Sequence, residues 1–218
     1  MTIELDHLFI CSQVNAPELE HLLDLGLIKG RSNTHPGQGT ANQCIFWQNF
    51  MLELLFIVDE REVSSPIIAP THLQERCNYQ QTGYSPFGVA FRRQAPDLVL
   101  PFKTWAYKPP YLPEQLQIDI AADTNPSEPL LFVVPFNQKH HTQPINHPAG
   151  MRQVTEIQIT LPTSATLSQA AQAIDRQGLL KFFPGKKHKD HLVTIEFDRN
   201  LQQRQQDFRP HLPVQFRW

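Results

Sequence analysis

The segment TANQCIFWQNFMLELLFIVD, Thr40–Asp59, constrains the fold more than any other part of the chain. It reads as two β-strands joined by a two-residue turn at Gln48–Asn49 or Asn49–Phe50. Such a turn fixes parity. Directly opposed residues sum to an odd number, so odd positions of the second strand share a face with even positions of the first. Glu53 then lies with Thr40, Asn42, Cys44 and Phe46. The other face carries Leu52, Leu54 and Phe56 beside Ala41, Ile45 and Trp47, with Gln43 the one misfit. A three-residue loop would reverse the assignment. The hairpin therefore has one apolar face to be covered and one polar-dotted face built round a carboxylate.

Upstream, IELDHLFIC alternates and puts Leu8 and Ile10 on one face, with Leu5, His7 and Phe9 on the other. NAPELEHLLDLGL predicts a helix N-capped by Asn15, with an apolar stripe of Leu19, Leu22, Leu23 and Leu27 and stop signals at Gly26 and Gly30. The first sixty or so residues thus read β–α–(β)–β–β. Covering the apolar face with the helix leaves His7 and Glu53 on the concave side of one sheet. An imidazole and a carboxylate on rigid strands suit a divalent metal or an acid–base pair. Structural, hydrogen-bonded side chains are the simpler alternative.

The pattern then repeats. SPFGVAFRR from Ser85 reads as a strand, APDLVLPFK as a helical turn, and QLQIDIAA and PLLFVVPF as further strands. After the linker NQKHHTQPINHPAG come a strand in RQVTEIQITL, a helix in SATLSQAAQAIDRQGLL and a strand in HLVTIEFDRN. The chain is therefore expected to be α+β, with a two-module domain at 1–137 (modules at about 1–60 and 85–137) and a C-terminal βαββ partial repeat at 150–218.

Other features exclude functions. With 218 residues, a net charge of −2 and no long basic run, neither nucleic acid nor an anionic membrane is an expected partner. GKKHKDH at Gly185–His191 reads as a solvated turn, and the linker with His140, His141 and His147 as solvent-exposed. MTIELDHLFI lacks the parts of a signal peptide, and no window approaches the ~20 apolar residues of a membrane helix. Cys11, Cys44 and Cys77 form no CxxC pair and fit a reducing, cytoplasmic setting. HPGQGTAN lacks the Gly-Lys-Ser/Thr ending of a phosphate loop and leads into a strand, so Gly37 and Gly39 are expected to serve the backbone path.

LDHLFI…LGL…HPGQGTANQCIFWQNFMLELLFI resembles the first module of glyoxalase-like proteins in the vicinal oxygen chelate (glyoxalase/bleomycin-resistance/dioxygenase) superfamily. SPFGVAFR resembles the opening strand of the second module, and PLLFVVPF with HPAG and VTEIQI resembles the ending of the glyoxalase-like branch. The match is good over Thr2–Asp59, fair over Ser85–Phe136 and weak after Met151. It implies paired βαβββ modules forming an open cup. Metal-dependent members draw ligands from the first and last strands of each module, and His7 and Glu53 match those of the first. In the second, Gly88 stands where a His is expected, and the carboxylate position falls near Val133 or Val134. A divalent ion (Zn, Ni, Mn or Fe) would find half a site. Glu156, aligned with His7, and Glu196, near the Glu53 position, could complete it if the C-terminal segment or a symmetry mate folded over the first module. Solvent-facing carboxylates are the simpler reading of both.

His35 and Gln38 are expected at the cup's rim and Thr40 and Asn42 beside Glu53, with Cys44 projecting there too. Arg92 is expected either to pair with a substrate carboxylate or phosphate or to form a surface salt bridge. Trp105, Tyr107 and Tyr111 wall the pocket or pack in a core. The resemblance implies a lyase, isomerase or dioxygenase-type enzyme acting on a small oxygen-rich substrate. Either a metal at His7/Glu53 acts as Lewis acid or Glu53 is a proton-transfer base. The rival is a metal-free protein that binds or sequesters a small molecule. A third reading is an interaction subunit that homodimerises through its C-terminal repeat.

Overall fold

The computed structural model describes residues 3–95, 98–136, 143–162, 166–186 and 191–218. The hairpin closes as its parity requires. β3 (Thr40–Phe46) and β4 (Met51–Ile57) pair antiparallel with Cys44 opposite Glu53 and Phe46 opposite Met51. The Trp47 N–H donates to the Phe50 carbonyl at 2.8 Å, which leaves Gln48–Asn49 as the turn. Ahead of them come β1 (Ile3–Cys11), α1 (Leu19–Asp24) and β2 (Lys29–His35), completing βαβββ. α1 is shorter than its pattern suggests. Asn15 takes a left-handed φ of 67° instead of capping, and Glu18 holds the cap position. Leu19, Leu22 and Leu27 bury as the apolar stripe requires.

β1 runs parallel to β4 and antiparallel to β5 (Phe87–Arg93), so the modules join through their first strands. β6 (Thr104–Tyr107), β7 (Ile118–Ala121) and β8 (Leu130–Val134) finish one eight-stranded sheet in the order β2-β3-β4-β1-β5-β8-β7-β6. The helical turn expected in APDLVLPFK does not form among its described residues; Pro96 and Asp97 lie outside them. Helices fall instead between the modules: α2 (Glu60–Val63), α3 (Leu73–Cys77) and α4 (Tyr79–Thr82).

One irregularity in β1 matters for the site. Leu5 pairs with Phe91 and His7 with Ala90, so Asp6 is an extra residue in the ladder, a β-bulge. The bulge shifts the phase of the strand. Ile3 and Leu5 join Leu8 and Ile10 in the outer core, while His7 and Phe9 face the other way. The strict alternation that grouped Leu5 with His7 fails at this point.

The C-terminal part contains β9 (Val154–Leu161), α5 (Gln169–Arg176), β10 (Lys181–Pro184), β11 (Leu192–Phe197), β12 (Gln205–Asp207) and β13 (Val214–Arg217), in a five-stranded sheet ordered β10-β9-β11-β13-β12. Ser168 caps α5 by accepting from the Ala171 N–H at 3.1 Å. The pairings repeat those of the large sheet in miniature. β9/β11 is antiparallel like β1/β5, β11/β13 parallel like β5/β8, and β9/β10 parallel like β1/β4. The segment is thus a shortened copy of the two-module sheet. β11 takes the place of β5, so Glu196 lies opposite Glu156 and not at a Glu53-like position.

The small sheet lays its apolar side on the outer face of the large one, and one continuous core joins them. Trp47 is the pivot, with ring centroids 4.9 Å from Phe197 and 6.2 Å from Phe216. Asn49, in the hairpin turn, exchanges both amide hydrogen bonds with the Val154 backbone at 2.9 and 3.0 Å. His147 is buried, contrary to the expected exposed linker. Its Nδ1 accepts from the Ile28 N–H at 3.0 Å and its Nε2 donates to the Phe46 carbonyl at 2.8 Å, and burial lowers its pKa below 6.5. His140 and His141 lie outside the described residues. So do residues 187–190 of the expected solvated turn, whose last residue, His191, is buried.

Candidate functional site

The inner face of the large sheet encloses a cavity of about 440 Å³. Its two walls differ because the modules differ. The first module supplies His7, Asn33, His35, Gln38, Asn42 and Glu53 along with the apolar Phe9, Met51 and Leu55; the second supplies mainly Tyr107, Ile118, Ile120, Leu130, Phe132 and Val134. Thr71 and Leu73, from the helical connection, add to the wall, and neither was marked by any pattern in the sequence.

Glu53 is buried and anchored on one side. Its Oε1 accepts from Asn42 Nδ2 at 2.7 Å. The orientation of that amide is set by the backbone, because Asn42 Oδ1 accepts from the Asn33 N–H at 2.8 Å. The other carboxylate oxygen stands 3.8 Å from His7 Nε2. His7 is in turn held from behind: its Nδ1 bonds Asp6 Oδ1 at 2.6 Å. Burial disfavours the charged imidazole, but the hydrogen bond to Asp6 and the charges of Asp6 and Glu53 outweigh it and raise the His7 pKa above 6.5.

Asp6 has no place in the alternating pattern; the bulge brings it to the cavity beside His7. Arg92 completes the array. Its Nη1 donates to Asp6 Oδ2 at 2.8 Å and its Nε to Glu4 Oε1 at 2.6 Å. Arg92 does not line the cavity, so its guanidinium steadies Asp6 instead of presenting itself to a ligand.

The remaining expected residues fall as follows. Thr40 is fully buried behind the wall, where it bonds His35 Nδ1 at 2.9 Å and accepts from Gln38 Nε2 at 2.8 Å. Gln38 is buried, not at an open rim, and Tyr107 Oη donates to its Oε1 at 2.7 Å. His35 is half-buried and its ring lies 4.9 Å from that of Tyr111. Burial lowers its pKa below 6.5. Tyr107 and Tyr111 line the cavity, and Trp105 packs beside them against the apolar cluster. Cys44, though opposite Glu53 in the ladder, is buried with Phe46 and Met51.

Glu156 and Glu196 are not brought to this cavity. Glu156 pairs with Lys181 and Gln158, and Glu196 accepts from Thr155 Oγ1 at 3.2 Å, all on the small sheet. The second module explains why no other ligand is present. Register equates His7 with Gly88, and Glu53, beside Phe9 in β1/β4, with Phe132, beside Ala90 in β5/β8. The last-strand position is therefore Phe132, not Val133 or Val134. A Cβ at Gly88 would meet the Phe9 ring at 2.0 Å, and the Phe132 ring lies edge-on to His7 at 5.7 Å. Aromatic carbon fills the half of the site where two ligands would stand. Among the described residues no three His, Cys, Asp or Glu side chains are arranged to hold a metal ion; in the one cluster at the cavity, Asp6 is taken up by His7 and Arg92. A resident metal held by three or four protein ligands does not fit this donor set.

Paired βαβββ-type modules round a cup are the arrangement that the vicinal oxygen chelate resemblance implies, and this chain has that architecture, with no helix in the second module among the described residues. Among solved structures it is similar to a hypothetical protein from Staphylococcus aureus, with a TM-score of 0.58 and 11% identity over 99% of each chain. It is also similar to a xylose isomerase-like TIM barrel/4-hydroxyphenylpyruvate dioxygenase fusion protein, with a TM-score of 0.51 and 9% identity over 91% of this chain and 37% of that one. At these identities the likeness is one of fold alone. No protein-family model and no curated protein matches the chain. Among the described residues no helix is long and apolar enough to cross a membrane.

Proposed function

We propose that the cup is the active site of a proton-transfer enzyme, an isomerase or lyase acting on a small carbonyl compound with an apolar body. The observation that carries this reading is the buried array Arg92–Asp6–His7, which holds a positively biased Nε2 in the same cavity as the second oxygen of Glu53, 3.8 Å away. Glu53 takes the proton from the carbon next to the substrate carbonyl, and the His7 imidazolium gives its Nε2 proton to the carbonyl oxygen as the enol forms. Return of the same proton from Glu53 to the opposite face, once the enol has turned over in the cup, gives epimerisation; expulsion of a neighbouring leaving group, which takes the proton held by His7 or Glu53, gives a lyase. Asn42 keeps Glu53 pointed at the cavity, and the apolar wall excludes water from the enol.

The test is solvent-deuterium uptake, followed by proton NMR, across a series of small ketones and 2-oxo acids. Wild-type protein should catalyse uptake at the carbon beside the carbonyl. Glu53→Gln should slow it by about 100-fold or more while the same compounds still bind. A second reading, a binding or sequestering protein, is favoured by the largely apolar second-module wall of Ile118, Ile120, Leu130 and Phe132. Compounds that bind tightly with no uptake anywhere in the series would support that reading and defeat ours.

A further inference from the structure

The proton-transfer pair leaves a second polar feature of the cavity unused. A hydrogen-bonded chain runs from the second module to the first: Tyr107 Oη to Gln38 Oε1 (2.7 Å), Gln38 Nε2 to Thr40 Oγ1 (2.8 Å), and Thr40 Oγ1 to His35 Nδ1 (2.9 Å). Such a chain can run in only one of two directions, and each puts the imidazole proton on a different nitrogen.

Tyr107 decides between them. Its phenol is buried, and burial pushes its pKa far above the usual tyrosine range, so it keeps its proton. Gln38 is its hydrogen-bond partner among the described residues. If the amide were turned to offer N–H, the buried phenol would lose the acceptor it has among the described residues, which costs on the order of a whole hydrogen bond. The phenol therefore donates and the Gln38 oxygen accepts. The Gln38 N–H then donates to Thr40, whose fully buried hydroxyl proton needs an acceptor of its own and finds it in His35 Nδ1, its other side-chain partner among the described residues. Nδ1 becomes an acceptor, and the ring proton sits on Nε2. The His35 ring lines the cavity, and its Nε2 bonds no described residue.

We propose that Tyr107, Gln38 and Thr40 are positioning residues that lock neutral His35 in the Nε2–H form, making it a fixed donor for an acceptor oxygen on the ligand. The subsite selects carbonyl or carboxylate oxygen over amines and over hydrocarbon. This rests on the cup being the ligand site proposed above, and gives that ligand a second polar anchor on the wall opposite the apolar one. The ring of Tyr111, 4.9 Å away, keeps the imidazole plane in place.

The experiment is long-range proton–nitrogen NMR on uniformly nitrogen-labelled full-length protein, with His35 assigned by the signals lost in His35→Gln. Wild type should show His35 as the Nε2–H tautomer. In Gln38→Glu the new carboxylate accepts from both Tyr107 and Thr40, so Thr40 must accept from His35, and the tautomer should switch to Nδ1–H. Acetophenone, which offers a carbonyl oxygen and no donor, should move the His35 Nε2 resonance, and toluene should not. An Nδ1–H tautomer in wild type overturns the relay, and needs no variant to fold. A Gln38→Glu protein that folds and keeps Nε2–H also overturns it. A His35 Nε2 signal unmoved by acetophenone overturns the subsite. None of these readouts depends on turnover, so the relay and the His7/Glu53 chemistry can fail separately.

Discussion

At the residue scale, the floor of the cup is a line of charges set up by one extra residue. The Glu53 side of the site was legible because a two-residue turn leaves no freedom in parity, and Asn42 does face Glu53. Asp6 was not legible, because an alternating strand should send it to the opposite face from His7. A bulge leaves no mark in IELDHLFIC that composition or period can detect. Arg92 was placed on the correct strand, but its partners Glu4 and Asp6 depend on the same bulge. The pKa of His7 is raised on folding, so its charged form adds stability that is fully present below the unfolded value and is lost as pH rises through the folded one. Asp6→Asn should therefore destabilise the protein more at about pH 6 than at about pH 9 in urea titrations. An equal loss at both would mean that Asp6 serves Arg92 alone. Asn42→Ala strands the Asn33 N–H and frees Glu53, and should cost about 1–3 kcal/mol in the same titrations.

At the element scale, register explains what periodicity could not. The first module's β–α–β–β–β order followed from its apolar stripe and hairpin, and β7 from the alternation of QLQIDIAA, whereas the short strand β6 lies beside Pro-rich sequence with little alternation. The missing metal half-site was visible as Gly88, but its partner was misplaced by one or two residues, because only the β5/β8 register identifies Phe132. That register makes a gain-of-function prediction. Gly88→His with Phe132→Glu supplies the two absent donors, and Phe9→Ala removes the ring that fills the space. The triple variant should bind one equivalent of zinc by elemental analysis, with the wild type binding none under the same loading. Gly88→Ala alone should lose roughly 1–3 kcal/mol through overpacking against Phe9. No loss would mean that the ring has room to turn away.

At the scale of the whole molecule, the C-terminal repeat was legible as a repeat but not in its role. Its rhythm predicted a β–α–β–β fragment; the pairing pattern makes it a reduced version of the entire two-module sheet. The apolar side of the small sheet packs inside the chain, where Phe197 and Phe216 close over Trp47. Long-range contacts of this kind depend on shape and not on local pattern. Because one core spans both sheets, calorimetry should show a single cooperative unfolding transition. Two separable transitions would contradict a shared core. The division of labour across the cup follows from the same architecture. The outer face is sealed by the small sheet, so the inner face is free to carry charge on one wall and hydrocarbon on the other.

If the floor of this cup works by moving a proton, as proposed, the His7 imidazole carries that proton, and an NMR titration of it with and without one equivalent of zinc reads this out. The midpoint is expected above 6.5, lowered by Asp6→Asn and left in place by zinc, in keeping with a proton-transfer role. A midpoint below 6.5, or a His7 signal that zinc removes from titration, would contradict it.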